Sequence, residues 1–138
     1  MDPAKDYIIK LPSAVKQGIW LKGGHNVVII GGQLKLSSGT ALAISNATGT
    51  VHIEGILIDN TGGPEGDGIQ INAPQATVQV QNTRVIGISG SGAGVHGDLL
   101  QTWGGVMNLR VDRFTGTTGC QGFFLRPDVG PTGSIDMA

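Results

Sequence analysis

The sequence predicts an all-β chain wound as a right-handed parallel β-helix, a solenoid of about five coils with 24–31 residues in each. Two observations carry this. The segments "VVIIGGQL", "VHIEGILI", "VQVQNTRV" and "LRVDRFTG" align from Val27, Val51, Val78 and Leu109, and apolar residues fall in the same two columns each time. A second set, "IWLKG", "LAISN", "IQINA" and "LLQTW", precedes the first at a fixed distance: Ile44, Ile71 and Thr102 each lie seven residues before Val51, Val78 and Leu109.

Each element follows from local chemistry. The first column holds Val27, Val51, Val78 and Leu109; the second holds Ile29, Ile53, Val80 and Val111, with Ile135 expected to continue it. A period of two with one apolar side is the signature of a strand. The links "NATGT", "NAPQAT" and "WGGVMN" contain Gly, Asn or Pro, which suit tight bends. A third, weaker strand is expected around Leu34, Ile58, Val85 and Phe114, after which the Gly-rich loops "NTGGPEGDG" and "GISGSGAGVHG" close the repeat. Like strands recur in one direction, so consecutive units stack in parallel, and stacking buries the apolar face that a lone coil leaves wet. Right-handedness follows from the rule for parallel crossovers. A sandwich requires antiparallel hairpins, and a propeller blade requires four strands.

Composition narrows the function classes. A net charge of −1 with 14% charged residues leaves no broad basic footprint for nucleic acid or an anionic membrane. The longest apolar runs, such as "VVII", are too short to cross a bilayer as a helix. A single cysteine, Cys120, permits no internal disulfide and reads as a small apolar filler. The opening "MDPAKDYIIKLPSA" has no signal-peptide pattern. Residues 1–138 are read as one β-helix domain, expected to be a fragment of a longer solenoid because "GSIDMA" stops as another alternating segment begins. Bare strand edges at its ends predict missing flanking coils or end-to-end self-association.

The stretch "GDGIQI" (Gly66–Ile71) places Asp-Gly-Ile at the start of a strand. With the stacked coils, it makes the chain similar to the pectin-lyase-like right-handed β-helix superfamily. The resemblance spans essentially the whole chain and is specific mainly in architecture. It implies a partner or substrate among acidic polysaccharides, an extracellular or cell-surface setting, and either a polysaccharide lyase or glycoside hydrolase or a non-catalytic adhesin, tail-spike or scaffold segment; fold alone does not choose. Polygalacturonase-like members carry a similar Asp-Gly-Ile in their first catalytic motif, which implies a catalytic Asp67. Asp98 falls at the same column of the next coil, where those members place a doubled acid and this chain has "GDLL". Their Gly-His-Gly follows later, whereas "VHG" with His96 comes before Asp98 here; "FFLRPD" supplies Arg126 where they have Arg-Ile-Lys. The implied catalytic set is Asp67, Asp98, His96 and Arg126.

The residues themselves leave three readings of the aspartates open. Stacked in one column, Asp67 and Asp98 would lie about 5 Å apart. One carboxyl would then be pushed toward the neutral form, as general acid–base work on a glycosidic bond requires. Alternatively Ca²⁺ would sit between them, with Glu65 and loop carbonyls as further ligands; no other cofactor is expected. In the third reading both simply bond backbone N–H groups at bends. Gln70 and Gln101 should stack outside the core, because Ile69, Ile71 and Leu100 occupy the alternate positions. They can form an amide ladder or bind sugar hydroxyls. Trp103 is either a sugar platform or a corner cap. Together with Gln121, these residues are expected to line a substrate groove. His96 lies two residues before Asp98, within reach of a contact. His52 with Glu54, and Arg110 with Asp112 and Arg113, read as solvated outer faces.

Overall fold

The computed structural model describes residues 1–92 and 94–138; Ala93, inside the expected Gly-rich loop, lies outside the described residues. Among the described residues there are strands and no helix. In chain order they are β1 (Tyr7–Lys10), β2 (Lys16–Gln17), β3 (Ile19–Lys22), β4 (Val27–Ile30), β5 (Gln33–Lys35) and β6 (Gly39–Ser45). Next come β7 (Thr50–Glu54), β8 (Leu57–Asp59), β9 (Gly66–Ile88), β10 (Leu100–Thr118), β11 (Phe123–Leu125) and β12 (Thr132–Met137). The long strands β9 and β10 run through the bends and contribute to all three walls of the coil.

Every pairing is parallel. On the first wall the register runs Tyr7–Val27–Val51–Val78–Leu109–Ile135. Ile135 therefore belongs to the first column, beside Leu109; Met137 occupies the second, beside Val111. The second wall stacks Ile19, Leu42, Ile69, Leu100 and Phe123, and two residues on, Leu21, Ile44, Ile71, Thr102 and Leu125. The third wall stacks Lys16, Leu34, Ile58, Val85 and Gly116. Phe114 was expected on this last column but pairs with Thr83, two positions earlier.

The solenoid has about four turns rather than five. The reason lies in coverage: Val27, Val51, Val78 and Leu109 are fully buried, whereas Tyr7 and Ile135 are only partly covered, each having a rung on one side alone. Buried Ile, Leu and Val side chains from the three walls form one continuous core along the axis. Each contributes about 1.5–3 kcal/mol relative to exposure, which a single coil could not collect.

A second ladder shapes the corner between the first and third walls. Gly31, Gly55, Asn82 and Arg113 occupy equivalent bend positions, all in the left-handed region with φ of 66°, 68°, 49° and 49°. Gly and Asn tolerate that conformation. Arg113 is held there by donating from Nε to Asn82 Oδ1 at 2.7 Å and by pairing with Asp112 at 3.0 Å. The outer face of the first wall carries the expected His52–Glu54 pair at 3.3 Å, whereas Arg110 pairs across the rungs with Asp136 at 3.7 Å and leaves Asp112 to Arg113.

Candidate functional site

The second wall carries a surface cleft of about 470 Å³ on its outer side. Its position follows from one outward-facing column, Trp20–Ala43–Gln70–Gln101–Phe124. Ala43 is small, and Gly39 and Gly66 pair with each other beside it without side chains, so space opens between Trp20 and the glutamines. Thr40 and Asp67 also pair in register, placing a hydroxyl and a carboxyl on the lining. Val95, His96, Trp103 and Arg126 complete the lining.

Trp103 reaches the cleft through a break in the ladder. Thr102 pairs with Ile71 and Val106 with Ala73, so three residues of β10 stand opposite Asn72 alone. Such an insertion bends the strand and re-aims a side chain. Gly104 and Gly105 absorb it with φ of 113° and 99°, and Trp103 is left 45% exposed. The Arg126 guanidinium lies over its ring, 4.9 Å from the centroid, and 5.0 Å from that of Phe124. Arg126 in turn donates from Nε and Nη2 to the two carboxylate oxygens of Asp128, at 2.8 and 2.6 Å.

The two aspartates stand in successive coils as neighbours but do not share an environment. Asp67 lines the cleft, half-buried; its Oδ1 accepts from the Asp98 backbone N–H at 3.0 Å, and its Oδ2 accepts from Gln101 Nε2. Burial pushes its carboxyl above the usual range, opposed by the Asp98 N–H and by the charge of His96. Asp98 is fully buried, and neither carboxyl oxygen has a hydrogen-bond partner among the described residues. Burial first and the Asp67 charge second push it up to about 6, with His96 opposing.

The expected pairing of Asp67 and Asp98 across an open groove is therefore corrected: Asp98 does not line the cleft. The segment Gly97–Thr102 is buried at every position, so strand alternation does not hold where Asp98 sits and its carboxyl is sealed away from the lining. Gln121 is also absent from the lining; it is exposed in the connection between β10 and β11. Gln70 and Gln101 are register partners as expected, but their amides do not form a ladder. Gln70 Oε1 accepts from the Thr40 hydroxyl at 3.3 Å while Gln101 turns to Asp67. His96 reaches the lining and packs on Phe124, with ring centroids 5.6 Å apart. Glu65 is exposed, and no three His, Cys, Asp or Glu side chains are gathered as a metal site among the described residues.

Trp20, 75% exposed, and Thr40 are cleft residues that sequence reasoning missed. The signal for Trp20 was present, because "IWLKG" aligned with "IQINA" puts it on the column of Gln70. Comparison of the chain with protein-family models, with curated proteins and with solved structures gives no match.

Proposed function

We propose that this β-helix is a carbohydrate-binding protein whose second-wall cleft holds a segment of a polysaccharide chain. The observation that carries the reading is the pair of exposed tryptophans, Trp20 and Trp103, on a lining that also presents Thr40, Asp67 and Gln70. Sugar rings offer apolar faces that pack on indole, and hydroxyls that need paired donors and acceptors; this lining supplies both. A regular parallel wall suits an extended polymer, and the resemblance of the sequence to pectin-lyase-like β-helices points the same way. An extracellular or cell-surface setting goes with such a ligand.

A catalytic reading would rest on the position of Asp67, a half-buried carboxyl on the cleft lining, where burial favours the protonated form that a general acid needs. With Asp98 off the lining, the two-carboxylate arrangement of glycosidases is not assembled from these residues.

Tryptophan fluorescence titrated with a panel of soluble oligosaccharides tests the binding reading. Quenching or a blue shift that saturates, and is weakened at least tenfold in Trp103→Ala, supports it; no response to any oligosaccharide overturns it. New reducing ends, or absorbance from unsaturated products, lost in Asp67→Asn would establish the catalytic reading.

A further inference from the structure

We infer that the cleft selects uncharged sugar chains and turns uronate chains away; this deepens the carbohydrate reading and rests on it. A carboxylated sugar is held by a free guanidinium or ammonium, best by the two parallel donors of an arginine fork. No lysine lines the cleft among the described residues. Arg126 does line it, but its two-donor Nε/Nη2 edge is taken by Asp128, its flat face lies on Trp103 and Phe124, and its remaining Nη hydrogens stand beside the Asp128 carboxylate, which repels a uronate. The remaining basic group on the lining is His96, which stands close enough to Asp67 to favour the charged form of that carboxyl.

The polar groups left for a ligand are those that suit hydroxyls. Thr40 spends its hydroxyl hydrogen on Gln70 Oε1, which leaves the Gln70 amide hydrogens directed elsewhere. Asp67 has accepted two hydrogen bonds, from the Asp98 N–H and the Gln101 amide, and a carboxylate has lone pairs for more. A sugar hydroxyl satisfies such an oxygen, whereas a uronate brings a second negative charge to the same lining. The cleft is therefore matched to an uncharged glycan, with Asp128 as the residue that masks the one arginine able to take a uronate.

The test compares neutral probes (cello-, xylo- and manno-oligosaccharides) with oligogalacturonate and oligoguluronate, by tryptophan fluorescence at pH 7.5 in 20 and 500 mM NaCl. The wild type should bind at least one neutral probe, insensitive to salt, and bind each uronate at least tenfold more weakly. Asp128→Asn, which unmasks the guanidinium at an exposed loop position, should raise uronate affinity, and that gain should fade in high salt because it is ionic. Uronate binding equal to or tighter than neutral binding in the wild type overturns the selectivity and leaves the carbohydrate reading standing. An unchanged uronate-to-neutral ratio in Asp128→Asn overturns the masking role. No response to either class removes the carbohydrate reading, and the selectivity with it.

Discussion

The backbone N–H of Asp98 donates to Oδ1 of Asp67 across 31 positions of sequence, so the two aspartates are bonded neighbours whose carboxyls face different surroundings. One lines the cleft, half-buried; the other is enclosed without a donor. Each consequence can be measured separately.

The enclosed carboxyl makes stability depend on pH. In the unfolded chain Asp98 titrates near its ordinary 3.8; in the folded protein burial and Asp67 raise it to about 6. Between those values the folded state holds more protons, so this contribution to stability is present at pH 4 and lost as pH rises through 6. Asp67 adds the same sign, whereas Asp6, Glu54, Asp59 and Asp128 are held low and add the opposite one. The difference between wild type and Asp98→Asn isolates the residue. Urea unfolding should show the variant more stable by on the order of 1–3 kcal/mol at pH 7.5, with the gain vanishing at pH 4. Equal destabilisation at both pH values would contradict the assignment.

The bend ladder makes a second prediction. A Cβ built on Gly55 has no atom within 4 Å, so Gly55→Ala tests backbone strain without a steric clash. With φ at 68°, the variant should lose about 1–2 kcal/mol in chemical denaturation. A neutral result would mean that the corner relaxes out of the left-handed region.

Packing makes a third. Ile53 is fully buried between its register partners Ile29 and Val80. Ile53→Ala should cost about 2–5 kcal/mol and lower Tm, because rungs above and below cannot close on the void without breaking register. A loss under 1 kcal/mol would show the core to be loosely stacked.

What the sequence disclosed and what it hid divide along regular and irregular backbone. Columns such as Val51–Val78 and Ile44–Ile71 were legible because a period of two, repeated at similar spacing, admits one stacking. Asp98 was misplaced because it precedes β10, where Leu99 and Leu100 are both buried and alternation no longer tells inside from outside. Ile135 and Phe114 were each displaced by one inward position: Ile135 and Met137 fit the second column equally well, and Gly116, which holds the third-wall position, leaves Phe114 as the nearest apolar residue. The reach of Trp103 depends on an insertion at Gly104–Gly105, and the opening beside Trp20 depends on the small Ala43 and on the absent side chains of Gly39 and Gly66; neither leaves a periodic trace.

The stacking itself is open to a direct chemical measurement. Gln79 pairs with Arg110 on one rung step, and His52 with Gln79 on the step before, so His52 and Arg110 stand two steps apart. Neighbouring strands lie about 4.8 Å apart, within the 4.4–6.8 Å that a disulfide spans, while two steps, about 9.6 Å, exceed it. In a Cys120→Ser background, mild oxidation of Gln79→Cys/Arg110→Cys should close an intrachain disulfide, read by thiol titration and by mobility on a non-reducing gel. His52→Cys/Arg110→Cys should stay reduced under the same conditions. Cross-linking of the second pair in preference to the first would contradict the register on which the cleft and both aspartates depend.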